Sequence, residues 1–262
     1  VFAPILAINI VIGINIKNAG ILINPTLRGK FTFKNEPVVK KPIAPNKAII
    51  KPITVPISPK ITKVFASKQI KNEGTLVGNI ANASPIADSL PFLFVIDSEL
   101  ELSCVKKSGT IVDKRWIKVK DFYLDYKKTE MSPNELITKV RLKIPESEDF
   151  LKLYKVSKRK DLDISTFTAG IMVKVKKGKI QEARVAFGGV GPVVVRLKKV
   201  ENFLKSKPMI ASIFNEAGSL ACGEIYPISD VRASTDYRFN LGKNILQKFF
   251  YEWQKEKNKK VA

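Results

Sequence analysis

The sequence predicts an α+β protein. Mixed, largely antiparallel sheet and helices come first, followed by a C-terminal subdomain of three antiparallel strands and a helix bundle. Three observations predict this. Residues 171–175 and 180–187 alternate apolar and polar around Lys177-Gly178, the pattern of a hairpin. Residues 93–104 and 111–119 read as a second strand pair, joined by Lys106-Lys107-Ser108-Gly109. Tyr237, Leu241, Ile245 and Phe249 step by four, with Trp253 following, which marks an amphipathic helix that Ser234 or Thr235 would cap.

Taken in order, Ile8, Ile10, Ile12, Ile14 and Ile16 share one face at period two, a strand signal, and Asn18-Ala19-Gly20 turns the chain into a second apolar run at 21–23. From Glu36 to Lys63 the composition becomes Lys, Pro and Ile. Pro37, Pro42, Pro45, Pro52, Pro56 and Pro59 block helix and remove ladder donors, so this stretch reads as extended and exposed. Ser132-Pro133-Asn134-Glu135 has capping-box spacing and predicts one helical turn before a strand at 137–144. Residues 145–149 form a polar break. Residues 193–197 supply the third C-terminal strand, and residues 198–205 an amphipathic helix. Three regions result: an atypical N-terminus at 1–64, a first folded part at 65–148, and a C-terminal subdomain at 149–262.

Charge and composition narrow the chemistry. The 262 residues carry a net charge of +22, and residues 1–72 hold twelve Lys/Arg against the single acid Glu36. Such a balance suits anionic partners. Yet residues 36–64 contain no aromatic on which a base could stack, so no specific nucleic-acid partner is expected. There is no histidine, which removes Ser-His-Asp catalysis and most zinc chemistry. Cys104 and Cys222 lie far apart in no metal-ligand spacing, so no metal site is expected and a reducing, cytoplasmic setting fits. The apolar run at 1–23 is broken by Pro4, Asn9, Asn15 and Lys17 and falls short of a clean span of about 20 apolar residues. Demanding chemistry must come from acids, lysines or a cofactor.

The densest functional segment runs from Gln69 to Asp88. Gly74, Gly78, Ala81, Ala83 and Ala87 let a ligand approach the backbone. Thr75, Asn79, Asn82 and Ser84 are neutral hydrogen-bonding groups beside N–H donors of the kind that bind anions. A helix starting after Ser84-Pro85 would add a favourable dipole for phosphate, and Asp88 could accept from a ribose or adenine. The alternative is a small-residue turn with helix caps. Neither a dinucleotide fingerprint nor a phosphate-binding loop of the Walker type is present.

This segment, Thr75-Leu-Val-Gly-Asn-Ile-Ala-Asn-Ala-Ser-Pro-Ile-Ala-Asp88, resembles the second flavin-binding loop of the xanthine dehydrogenase family, and more broadly the FAD domains of molybdenum hydroxylases. The resemblance continues in order through Pro133–Ile137, Ile144-Pro145, Tyr154–Ile164, Ala183–Pro192 and Pro227–Arg238, covering about Phe65 to Trp253. It implies an oxidoreductase component. FAD would take electrons singly from a 2Fe–2S cluster, which a molybdopterin subunit reduces while hydroxylating a purine or similar heterocycle, and would pass a hydride to NAD⁺. The cluster and the molybdopterin would belong to partner domains or subunits. No side chain of this chain would act as a catalytic acid or nucleophile.

Carried over by position, the resemblance implies that Phe65 and Ala66 flank the cofactor. Thr75, Gly78 and Asn79 meet its pyrophosphate, and Ser84 and Asp88 lie near the adenosine end or hold the loop. Ile137 packs on the cofactor, Lys155 reaches it, and Arg159 stands where nicotinamide approaches. Two departures stand out. Val77 replaces the first Gly of the family's Thr-Leu-Gly-Gly-Asn, which strains the backbone if φ there is positive and crowds phosphate if it is not. The family's first cofactor loop has no counterpart within 1–64. With Val as first residue, that stretch is expected to derive from a frameshifted, fused or misread gene start. A competing expectation is a degenerate, FAD-free docking or structural piece, and a third is a basic nucleic-acid-binding module.

Overall fold

A computed structural model describes residues 74–105, 111–159 and 164–261, which fall within one compact unit. The strand predicted at 8–16, the proline-rich stretch, Phe65, Ala66 and the turn at 106–109 lie outside the described residues.

The chain enters through α1 (Leu76–Ala81) and α2 (Leu90–Val95). Residues 93–104 were expected to be one strand; they divide instead between α2 and β1 (Glu99–Val105). An unbroken apolar run fits a buried helix as well as a strand, and Pro91 in the first helical turn favours the helix. All six residues of α2 are buried. The helix ends where Asp97 takes φ 49° and the Ser98 amide reaches back to the Leu93 carbonyl at 3.0 Å, a Schellman-type stop.

β1 is the middle strand of a three-stranded antiparallel sheet, order β2-β1-β5, with β2 at Ile111–Lys118 and β5 at Glu135–Arg141. Leu100 and Leu102 are fully buried. The anticipated helical turn before β5 does not form. Glu135 does accept the Ser132 amide at 2.8 Å, as in a capping box, but Ile137 and Val140 pair across β1 and the sheet takes the segment. Arg115 secures the same turn through two bonds to the Glu135 carboxylate. Between β2 and β5 a short hairpin, β3 (Tyr123–Asp125) with β4 (Lys128–Thr129), brings the Tyr123 hydroxyl to the Ile80 carbonyl at 3.1 Å, buried. Burial drives that phenol's pKa upward. Tyr123→Phe removes this second donor, while the Ile80 carbonyl keeps the Ala83 amide at 3.1 Å, and is expected to lower stability by about 1 kcal/mol, read by urea denaturation.

After residues 142–148 the chain builds a second antiparallel sheet, order β6-β7-β8-β9. Its strands are Asp149–Val156, Phe167–Lys176, Lys179–Gly188 and Val195–Arg196. It has four strands where three were expected, because β6, an edge strand rich in lysine, does not alternate cleanly. The hairpin at Lys177-Gly178 is present, with both residues at positive φ, 50° and 73°. One face of this sheet carries α2. The other carries α3 (Lys198–Leu204), α4 (Ala211–Ala221) and α5 (Thr235–Val261). Helix α4 was not anticipated from sequence. Phe249 of α5 is fully buried and meets Phe150 and Phe214, with ring centroids 5.2 and 6.0 Å away. Ser234 caps α5 by accepting the Tyr237 amide at 3.2 Å.

The two layers around β9 are locked by charge. Arg196 donates to Glu201 at 2.5 Å, to Asp97 at 2.9 Å and to the Phe94 carbonyl at 2.8 Å. Burial alone would lower the Arg196 pKa; Glu201 and Asp97 outweigh it and raise it.

Candidate functional site

The candidate site lies where the Thr75–Asp88 segment meets one end of the four-stranded sheet. Thr75 is the N-cap of α1: its side-chain oxygen accepts the Gly78 amide at 3.0 Å, and its carbonyl accepts the Asn79 amide at 3.0 Å. The helix therefore starts at Leu76, not after Ser84-Pro85. Residues 84–89 form turns instead. The Ser84 hydroxyl accepts the Ile86 amide at 3.4 Å, so Ser84 holds the loop. Val77 lies inside α1 and is not among the residues with positive φ, so the departure from glycine carries no backbone strain.

Gly78 is exposed, and a Cβ there would come within 2.8 Å of Thr75 Oγ1. The capping hydroxyl thus sits close over Gly78, and a larger residue there would push it aside. Helix α1 has no acid in its first turn to neutralise its dipole. The cap and Gly78 are thus exposed at a helix start whose dipole no acid of that turn offsets. Asn79 is half-buried, and its side-chain oxygen accepts the Ser89 hydroxyl, tying the start of the loop to its end.

Asp88 closes the arrangement. One carboxylate oxygen accepts Lys155 Nζ at 2.6 Å and the other accepts the Ser165 hydroxyl. The side chains of Asp88 and Lys155 are 8% and 16% exposed, so this is a largely buried ion pair across 67 residues of sequence. The turn is also stitched to β8, since the Gly189 amide donates to the Pro85 carbonyl at 2.8 Å. Gly189 has φ 79°, and a Cβ there would meet the Thr166 carbonyl at 2.6 Å, so no other residue fits. Sequence reasoning missed Ser165 and Gly189. The glycine pair in Phe187-Gly188-Gly189-Val190 was the available signal; Ser165 offered none.

Of the remaining candidates, Ile137 is buried on β5, opposite Leu102. Arg159 is exposed beyond β6, where its carbonyl accepts the Ser157 hydroxyl at 2.6 Å. Its neighbour Lys158 donates to the Val231 carbonyl at 2.9 Å, which brings the loop before α5 to the same end of the sheet. Asp230 organises that loop. Burial would raise its pKa, but hydrogen bonds from Arg238 and from the Arg232 and Ala233 amides lower it to about 2, from 3.8. A depressed carboxylate contributes stability above its unfolded pKa and loses it as pH falls through the folded one. The difference in melting temperature between the wild type and Asp230→Asn is therefore expected to hold above about pH 4 and close towards pH 2, followed by circular dichroism.

Among the described residues no cluster of His, Cys, Asp or Glu could hold a metal, and no helix is long and apolar enough to cross a membrane. Cys104 and Cys222 are free thiols.

Comparison with known proteins identifies the family. The FAD binding domain in molybdopterin dehydrogenase matches residues 10–146, the whole proline-rich stretch included, and the CO dehydrogenase flavoprotein C-terminal domain matches residues 152–253. Xanthine dehydrogenase of Blastobotrys adeninivorans is 36% identical over 149 residues, 55% of this chain and 10% of that protein. The glyceraldehyde dehydrogenase medium chain of Sulfolobus acidocaldarius is 27% identical over 198 residues, 76% of this chain and 68% of that one. Reconstituted CO dehydrogenase from Oligotropha carboxidovorans shares the fold, with a TM-score of 0.67 at 23% identity, over 74% of this chain and 65% of that one. The chain spans about a tenth of the length of nicotinate hydroxylase and xanthine dehydrogenase, two of the curated relatives it matches. With the first family covering more than half of its residues and the second following in order, the chain belongs to the FAD-binding components of the molybdenum hydroxylase family.

Proposed function

We propose that this chain holds FAD between α1 and the end of the second sheet and serves as the flavin relay of a molybdenum hydroxylase. In this reading electrons arrive from a 2Fe–2S cluster, itself reduced by a molybdopterin-bearing partner, and leave to NAD⁺. The observation that carries the proposal is the Asp88–Lys155 pair, 2.6 Å apart, which joins the two segments assigned to the cofactor. Bound FAD would supply the redox chemistry, taking electrons singly and giving them up as a pair with a proton.

The chain's own part is binding and orientation. Thr75 and the exposed first turn of α1 present a hydroxyl and a positive dipole end to the pyrophosphate, and the Gly78 amide steadies that hydroxyl. Asp88 and Ser165 set the distance between that helix and the sheet, and Lys155 pairs with the Asp88 carboxylate there. Ile137 gives the apolar wall, and Arg159 offers positive charge to the phosphates of NAD⁺. None of these residues needs to gain or lose a proton.

The test is the visible absorption spectrum of the purified chain, before and after incubation with FAD and then desalting. Retained flavin bands are the expected result. A colourless protein after both steps would mean that the resemblance records ancestry and that the chain is a docking piece.

A further inference from the structure

The loop before α5 is built with more order than its exposure would suggest. Asp230 accepts the Arg232 and Ala233 amides at 2.9 and 3.2 Å and the Arg238 guanidinium at 2.8 Å. Arg238 is buried, at 3% exposure, and also binds the Ile228 carbonyl at 2.9 Å. The Tyr226 amide is tied to the Val190 carbonyl at 2.8 Å, and Lys158 holds the Val231 carbonyl. This rigid frame presents its apolar side chains outward: Val231 is 89% exposed, Tyr226 77% and Ile228 69%. Core packing explains none of the three. A fixed backbone carrying exposed aromatic and aliphatic tips has the character of an interface centre.

The surroundings indicate what covers it. Lys158 is exposed beside the patch and Arg232 is half-buried within it; Asp236 is the exposed acid on the following helical turn, while Asp230 is engaged internally. A second copy is a poor occupant, because a chain of net charge +22 would meet its own cations. The patch adjoins the 188–192 turn and the basic end of β6, the mouth of the proposed cofactor site. A few apolar tips with a cationic rim suit a small, transient electron-transfer contact. A cysteine-ligated iron–sulfur cluster brings net negative charge to such a contact. We infer that Tyr226, Ile228 and Val231 form the docking site for the iron–sulfur protein that delivers electrons, an inference that rests on the flavin reading above.

The experiment measures, on the same samples of the full chain, flavin absorbance and binding of the cluster-loaded 2Fe–2S component by surface plasmon resonance. Val231→Asp, and separately Tyr226→Ala with Ile228→Ala, should weaken that binding at least tenfold. Flavin content and the circular dichroism spectrum should stay unchanged, and added salt should weaken wild-type binding as well. Unaltered binding in both variants overturns the inference. So does a loss confined to the molybdopterin component, to vesicles containing phosphatidylserine, or to self-association in sedimentation. A wild-type chain that retains flavin but does not bind the 2Fe–2S component also overturns it. A chain that binds this component through the patch but retains no flavin keeps the docking site and removes the flavin reading instead.

Discussion

Glu201→Ala is expected to lower the melting temperature by about 10 °C, from a loss of about 3–5 kcal/mol. Glu201 is 7% exposed and serves three donors: the Val185 amide at 2.9 Å, Arg196 at 2.5 Å and Lys198 at 2.9 Å. Removing the carboxylate leaves a backbone N–H of β8 and one side of the Arg196 guanidinium buried without a partner. Arg196 is also the residue that ties the end of α2 to β9, through the Phe94 carbonyl and Asp97. The damage therefore reaches the contact between α2 and the second sheet. Glu201→Gln keeps an oxygen for the Val185 amide and gives up the charge, so it should fall between the wild type and Ala. Thermal unfolding followed by circular dichroism separates the three. Equal melting temperatures for Ala and Gln would show that the charge, rather than the acceptor, carries the effect.

Asp88→Ala should weaken FAD binding by about ten- to a hundredfold, because it removes the link that holds the cofactor loop on the sheet and leaves Lys155 as an unpaired, mostly buried cation. Lys155→Met should weaken it comparably, because Asp88 keeps the Ser165 hydroxyl but loses this cation. If the two act as one unit, the double variant loses less than the sum of the single losses. Asp88→Asn keeps an acceptor for Ser165 and should retain part of the affinity. Titration of desalted protein with FAD, read by flavin absorbance and paired with a urea melt, distinguishes lost binding from lost folding. Additive losses would show that Asp88 and Lys155 meet the cofactor independently.

Much was legible in the sequence where the pattern is local. The hairpin at Lys177-Gly178 needs only two residues that accept positive φ between alternating strands. Helix α5 announces itself by a four-residue apolar step, although its buried stripe is wider than that step, taking in Leu246 and Phe250 beside Ile245 and Phe249. The candidate site was legible as a list of residue types and as a family resemblance. What local pattern could not resolve was choice between equals. The run Leu90–Val95 is apolar on every side, so whether it becomes helix or strand depends on what encloses it, here β7 and β8. The capping-box spacing at Ser132 formed its hydrogen bond and still yielded to a strand, because pairing with β1 buries Ile137 and Val140.

By itself, then, the sequence determined the secondary-structure class of its strongly periodic segments, the absence of histidine chemistry, and the family resemblance. Only the tertiary structure decided that the helix of the 75–88 segment begins at Leu76 behind a Thr75 cap, that Val77 stands in unstrained helical backbone, and that Asp88 faces Lys155 and Ser165. The physical reason is range. Caps, turns and periodicity act over a few residues, whereas a buried carboxylate must find its cation wherever packing delivers one, and here that cation lies 67 positions away.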